Sequence, residues 1–225
     1  MVINIRSTNT ITTSSLKVLV YGQAGAGKTT LIKTLPKPLI LSAEGGLLAL
    51  RNENLPFVKI KSMSDLQEVY IWLRDSEEAK QFESVALDSI SEIAEVVLGS
   101  EKAATKDSRQ AYGAMQDQMT ALIRAFRDLP ERHIYFSAKI ERQQNELGQL
   151  LHSPAMPGQK LGQTLPYFFD EVFALRITPD KDGSPTRMLM CVGDGIWTAK
   201  DRSGVLAPWE PADLGAVITK IEMGG

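Results

Sequence analysis

Eight consecutive residues, Gly22 to Thr29, have the composition and spacing of a loop that binds phosphate groups; they read Gly-Gln-Ala-Gly-Ala-Gly-Lys-Thr. The glycines permit tight turns in which successive main-chain N–H groups approach an anion. Lys28 would reach the β and γ phosphates of a nucleoside triphosphate, and the hydroxyl of Thr29 would be a ligand of Mg²⁺. The predicted nucleotide contacts are therefore Gly22, Gln23, Ala24, Gly25, Ala26, Gly27, Lys28, Thr29 and Thr30.

The magnesium ion of such a site also needs an acidic group, and Asp88 is the candidate. It ends the apolar segment 84–87, which gives the pattern of a Walker B strand. Hydrolysis further needs a group that orients the attacking water. Glu44 follows the apolar segment 39–43 and precedes two glycines, so the chain can turn away and leave this carboxylate at the edge of a sheet. An exposed turn residue would have the same pattern, and the sequence leaves both interpretations of Glu44 open.

The segments around these residues alternate between strand-like and helix-like patterns from Lys17 onward. Such alternation predicts parallel strands joined by crossover helices, which is an α/β fold. An amphipathic helix with apolar side chains three and four residues apart is predicted to end near Leu129. The other predicted helices cover residues 28–35 and 66–73, and the predicted strands cover residues 17–21, 39–43, 57–61, 84–87 and 134–138.

The C-terminal part departs from this alternation. Three strands are predicted there, over residues 171–177, 186–192 and 196–199. Between the last two, Gly193-Asp194-Gly195 has the composition of a hairpin turn. We therefore expect an antiparallel extension of the sheet.

Two further segments lack a clear helix or strand pattern. Residues 142–164 show little periodicity, and a loop of that length inside a domain is usually functional or disordered. The first 15 residues are rich in Thr, Ser and Asn and are predicted to form a flexible N-terminal arm. Residues 16–225 are then expected to form one domain, which suits a chain of this length.

The composition restricts the possible functions. Lys and Arg number 25 against 27 Asp and Glu, giving a formal net charge of -2, so any nucleic-acid binding must come from a local patch. No apolar run approaches the roughly 20 residues that span a bilayer, and the N-terminus lacks the pattern of a signal peptide. The single cysteine, Cys191, excludes an internal disulfide. We expect a cytoplasmic protein without a membrane contact.

Two of these motifs resemble those of the RecA-type ATPases. The strand that ends in Ala43-Glu44 is similar to the family's second strand, whose glutamate activates water, and Ala86-Leu87-Asp88-Ser89 matches its Asp-Ser Walker B motif. The resemblance extends from Lys17 to about Gly204. It implies a RecA-like P-loop NTPase core, with a mostly parallel sheet, helices on both faces and an antiparallel C-terminal hairpin. It also implies that the cofactors are ATP and Mg²⁺.

The chain is most similar to the short RecA-like ATPases of phages, whose relatives act as single-strand annealing proteins. This resemblance implies a DNA-dependent ATPase in phage recombination or replication, located in the cytoplasm of the bacterial host. In recombinases a polar residue that senses the γ phosphate ends the next central strand and precedes a DNA-binding loop. Lys139 stands at that position, where the family has glutamine. The segment 141–164 would then contact single-stranded DNA, with Arg142 and Lys160 as its main cations.

The sequence Lys200-Asp201-Arg202 resembles the Lys-x-Arg pair with which RecA-like motors reach into a neighbouring subunit's active site. The resemblance implies a homo-oligomer, either a ring or a filament, with active sites between subunits. A pair of solvated surface cations would have the same sequence. A single-strand-binding protein is a further candidate partner.

Two other functions remain open at this point. A small-molecule P-loop kinase would close a lid with several arginines over ATP, and Arg142 is the one arginine between Lys139 and Tyr167, which argues against it. A binding module that uses ATP as a switch, with negligible turnover, is favoured by the lysine at the sensor position.

Overall fold

The computed structural model describes residues 15–224, so all but Ser15 of the predicted N-terminal arm lies outside the described residues. The main sheet has nine strands; eight are ordered β11-β9-β8-β1-β5-β4-β2-β3, and β10 pairs with β8. The strands are β1 Lys17–Tyr21, β2 Pro38–Ser42, β3 Phe57–Lys59, β4 Ser84–Asp88, β5 His133–Ala138, β6 Ile140–Gln144, β7 Leu150–Pro154, β8 Glu171–Pro179, β9 Pro185–Met190, β10 Lys200–Asp201 and β11 Trp209–Pro211. The helices are α1 Lys28–Leu31, α2 Met63–Asp75, α3 Ile90–Ala104, α4 Ser108–Arg127, α5 Gln159–Thr164 and α6 Leu214–Gly224.

Both faces of the central strands are covered, which explains why these strands are continuous apolar runs. In β1, Leu19 and Tyr21 pack into a core with residues of α2, α3 and α4. Val18 and Val20 point the other way, into a second core with residues of α1 and α6. The predicted α/β fold, a mostly parallel sheet with helices on both faces, is therefore confirmed.

The central strands place the candidate residues at one edge of the sheet. β3, β2, β4, β5 and β1 are parallel to their neighbours, so their carboxyl ends lie at the same edge. Each candidate group stands at or just after the end of one of these strands. The loop that begins at Gly22 follows β1, Glu44 follows β2, Asp88 ends β4 and Lys139 follows β5. Ligands of open α/β sheets bind at this edge.

The predicted antiparallel extension is present, but its hairpin lies elsewhere than expected. β8 runs parallel to β1 and then pairs antiparallel with β9, through a turn at residues 180–184. The predicted hairpin at Gly193–Gly195 is wrong, because the side chain of Asp194 accepts the N–H groups of Ile196 and Trp197 and holds this segment as a loop. The predicted strand 196–199 is reduced to one bridge between Trp197 and His152.

The segment 142–164, which has little periodicity in the sequence, forms defined elements in the structure. β6 and β7 form a two-stranded antiparallel hairpin, and α5 follows it. The turn is closed by Asn145, whose side-chain oxygen accepts the N–H groups of Leu147 and Gln149. Much of the hairpin is exposed, so its sequence lacks the apolar alternation that marks a half-buried strand.

The helices were predicted in part. α4 ends at Arg127, as its apolar spacing indicates, whereas α3 and α6 were not predicted. Among residues 15–224, no helix has the length and apolar character needed to cross a bilayer.

Candidate functional site

The loop between β1 and α1 has the backbone conformation that its glycines predict. Gly25 and Gly27 have φ angles of 77° and 106°, in the left-handed region that favours glycine. Gly27 immediately precedes α1, and the chain continues after Leu31 as a 3₁₀ helix over Ile32–Thr34. The predicted contacts Gln23, Ala24 and Gly25 are exposed, so a phosphate group has access to the loop.

The Lys28 side chain folds over this loop. Its Nζ donates to the carbonyl oxygens of Gly22 at 2.8 Å and Gln23 at 3.0 Å. Burial lowers the pKa of Lys28, and the nearby carboxylates of Glu44 and Asp88 oppose this effect. The ammonium group therefore lies where the loop and the acidic residues meet.

Thr29 and Asp88 are brought together as the sequence predicts. The Thr29 hydroxyl donates to Oδ2 of Asp88 at 2.7 Å, and the hydroxyl of Ser137 donates to the other carboxylate oxygen. Burial raises the pKa of Asp88, while these two hydrogen bonds oppose the shift. Hydroxyl and carboxylate oxygens are hard ligands of the kind that Mg²⁺ prefers, so the residues fit a magnesium ion.

Glu44 extends from the end of β2 toward the same edge. The hydroxyl of Ser89 donates to Oε1 of Glu44, and Ser89 directly follows Asp88. The Glu44 side chain is otherwise exposed, which leaves its carboxylate accessible to water. The structure thus ties Glu44 to the end of β4 instead of leaving it as an isolated turn residue.

Lys139 lies at this edge but has a partner of its own. Its Nζ is 2.6 Å from Oε2 of Glu92, in the first turn of α3, and this contact raises the pKa of Lys139. The main-chain N–H of Lys139 donates to the hydroxyl of Ser91, so α3 fixes the position where β5 ends.

Lys200 lies beside the middle of β1 and Arg202 beside its amino end, away from the carboxyl end that leads into the phosphate-binding loop. Lys200 pairs with Val172 at the start of β8, and Val172 is next to Leu19 in β1. Its Nζ donates to the carbonyl oxygens of Pro166 and Phe169, and burial lowers the pKa of Lys200. Arg202 forms an ion pair with Asp170 at 2.8 Å. The fold therefore does not bring this pair to the chain's own phosphate-binding loop.

Arg142 and Lys160 are both exposed, on β6 and α5 respectively. Neither forms an ion pair with another residue in the range 15–224. The hairpin that carries Arg142 is linked to β1, because the hydroxyl of Tyr21 donates to the carbonyl oxygen of His152.

Two residues at the site were not predicted. Ser137 could have been found, since a small polar side chain near the end of β5 must lie beside the end of β4. Arg187, whose Nε donates to the carbonyl oxygen of Ala26 at 2.9 Å, is 161 positions away along the chain. Its sequence context carries no signal of that contact.

Comparison with known proteins adds a family and a fold. A family model described as an AAA domain matches residues 14–203. Of the solved structures, 255 chains match, among them a prototypical ATPase from the type III secretion system of pathogenic bacteria. That ATPase is 12% identical to this chain with a TM-score of 0.50, and the match covers 72% of this chain and 52% of that one. None of the curated proteins has a matching sequence.

The likeness to that ATPase, at so low an identity, shows the fold alone. The chain spans about half of its length. A fold shared with so many structures does not select a function, which has to be argued from the site.

Proposed function

This chain belongs to the AAA-domain family, and from that premise we propose that it hydrolyses ATP in a manner stimulated by single-stranded DNA. The observation that supports hydrolysis is the 2.7 Å hydrogen bond between Thr29 and Asp88, next to a loop with the Walker A sequence. Glu44, tethered through Ser89, lies at the same edge and supplies a carboxylate for a water molecule. We further propose a role in phage recombination, single-strand annealing or replication, on the resemblance of the motifs alone.

Each of the site residues has a distinct role in this proposal. Thr29 and Asp88 would hold Mg²⁺, directly or through its water shell, and the ion would offset the negative charge of the phosphates. Lys28 would leave the loop carbonyls and bind the β and γ phosphates. Glu44 would orient the attacking water, and the hydrogen bond from Ser89 would hold its carboxylate in position.

Replacing Glu44 with glutamine should lower the rate of phosphate release from ATP by about 100-fold or more, because a positioned general base contributes on that order. The affinity for Mg·ATP should stay near that of the wild type, since the phosphate contacts are unchanged. Steady-state hydrolysis and equilibrium binding measure the two effects. Glu68→Gln, on the exposed side of α2, is the matched control. Wild-type turnover in Glu44→Gln would contradict the assigned role.

We propose that Lys200 and Arg202 act on the site of a neighbouring subunit in a ring or filament. Their position beside the middle and the amino end of β1 supports this, because they lie away from the carboxyl edge that carries their own site. In the Arg202–Asp170 ion pair the two side chains are 59% and 32% exposed. Pairs that are open to solvent contribute little stability, so Arg202 could exchange Asp170 for a phosphate group. In the neighbouring site the two cations would neutralise charge that develops in the transition state, and Lys200 would leave the carbonyl oxygens of Pro166 and Phe169 to do so.

Arg202→Ala should abolish hydrolysis while nucleotide binding is retained. A mixing experiment tests whether the residue acts between subunits. Lys28→Ala and Arg202→Ala should each be inactive, and their mixture should recover part of the activity, because some interfaces combine an intact loop with an intact arginine. Loss of ATP binding in Arg202→Ala, or a mixture as inactive as its components, would contradict a role across the interface.

We propose that the β6–β7 hairpin and α5 contact single-stranded DNA. The segment presents Arg142 and Lys160 to solvent, and glutamine side chains on β6 offer uncharged donors. It follows β5 directly, and β5 also carries Ser137, which contacts Asp88. A conformational change caused by phosphate binding would therefore be transmitted through β5 to this hairpin.

The double variant Arg142→Ala/Lys160→Ala should bind single-stranded DNA more weakly. Its affinity should also depend less steeply on salt, because about 0.7 counterion is released for each phosphate contact on a single strand. Fluorescence anisotropy over a salt series measures both. Lys37→Ala/Lys80→Ala removes the same charge near the amino ends of β2 and β4 and should leave the slope unchanged. An equal slope for the wild type and the Arg142/Lys160 variant would count against the assignment.

A second candidate function is a binding module that ATP switches with little turnover. The pairing of Lys139 with Glu92 favours it, because the residue at the sensor position is bound to α3 instead of being unpaired. Turnover with and without single-stranded DNA separates the two candidates. Binding without hydrolysis under both conditions would support the switch.

A further inference from the structure

The hairpin formed by β8 and β9 extends past the phosphate-binding loop. β1 ends at Tyr21, which pairs with Ala174, whereas β8 continues to Pro179. The loop starts directly against this extension, because a Cβ atom on Gly22 would lie 2.8 Å from the carbonyl oxygen of Leu175. The distal part of the hairpin therefore forms a side wall next to the loop.

One face of this hairpin is directed at the loop and at α1. Leu175 and Leu189 lie opposite each other and are buried in the core that also contains Ala26 and Leu31. Because side chains alternate along a strand, the same face carries Ile177 and Arg187, which are also opposite each other. Ile177 is 53% exposed, so the apolar face continues beyond the packed core.

Arg187 is fixed against the loop. Its Nε donates to the carbonyl oxygen of Ala26, and a Cβ atom on Gly27 would lie 2.7 Å from that nitrogen. The terminal amino groups of Arg187 form no hydrogen bond or ion pair with other residues in the part of the chain that the structure describes. The guanidinium plane is thus held in place by one of its nitrogens, with its other donors available.

The position of Arg187 indicates which part of a ligand it meets. A phosphate-binding loop presents its N–H groups to the anion, whereas Arg187 binds a carbonyl oxygen. The guanidinium therefore flanks the anion cradle instead of filling it. A planar cation beside an exposed aliphatic side chain is a surface on which a flat, uncharged heterocycle can stack.

We propose that Ile177 and Arg187 form the nucleoside-binding wall of the site, on which the base of the bound nucleotide rests. The inference depends on the proposed function, since it assigns a further part of the same ligand. The base would cover the exposed Ile177 side chain and one face of the guanidinium. The remaining N–H groups of Arg187 would donate to the sugar hydroxyls of the nucleoside.

The roles of this wall and of the phosphate-binding loop can be separated by measuring the binding of two ligands that share a phosphate chain. Mg·ATP carries a nucleoside, and Mg·tripolyphosphate does not. Ile177→Ser should weaken Mg·ATP binding by about tenfold, because an apolar contact with the base is lost. Arg187→Lys keeps the charge and a donor for Ala26 but removes the stacking plane, and it should weaken Mg·ATP binding in the same way. Both variants should bind Mg·tripolyphosphate like the wild type.

Thr178→Ala is the matched control, because Thr178 follows Ile177 but points to the other face of the hairpin. It should bind both ligands like the wild type, and thermal melting checks that all variants are folded. Wild-type affinity for Mg·ATP in both Ile177→Ser and Arg187→Lys would contradict the nucleoside-binding wall but not the proposed function. An equal loss for both ligands would also overturn it, since the residues would then only support the loop. A wild-type protein that binds neither ligand would overturn the proposed function together with the wall.

Discussion

The hydrogen bond between Thr29 and Asp88 joins two elements that are far apart in the chain. It connects the first turn of α1 to the end of β4, across a separation of 59 residues. Asp88 is only 1% exposed, and a buried carboxylate is costly unless it is hydrogen-bonded or binds a cation. Hydroxyl groups from Thr29 and Ser137 meet part of this requirement, and a magnesium ion would meet the rest. The site and the alignment of β1, β4 and β5 therefore depend on each other.

The same edge of the sheet also organises the groups around that bond. Ser89 ties Glu44 to the end of β4, and Glu92, in the first turn of α3, forms an ion pair with Lys139. Ser89 and Glu92 both belong to the segment that immediately follows Asp88. One strand end thus positions the metal-binding carboxylate, the candidate for water activation and the candidate sensor. On the other side of the loop, Arg187 anchors the β8–β9 hairpin.

The central sheet could be predicted from the sequence because its buried strands are largely apolar runs, and a carboxylate stands at or just after the end of two of them. Asp88 and Glu44 were found for this reason, and the structure brings both to the loop. The β6–β7 hairpin could not be predicted, because after Ile140 the strand β6 carries only charged and amide side chains, so it lacks the apolar alternation of a typical half-buried strand. The false hairpin at Gly193–Gly195 has the right composition, but the side chain of Asp194 stabilises a different turn. Arg187 was missed because its contact with Ala26 exists only once β9 is placed beside β8.

The account depends most directly on the anion-binding loop with its one ammonium group. Equilibrium binding of Mg·ATP to the wild type and to Lys28→Ala tests it, with Lys33→Ala as a control on the 3₁₀ helix that follows α1. We expect the wild type and Lys33→Ala to bind with similar affinity and Lys28→Ala to lose at least about tenfold, since a charge-assisted contact is worth roughly 1.5–3 kcal/mol. Equal affinity of Lys28→Ala and the wild type, or no measurable binding by the wild type, would contradict the account.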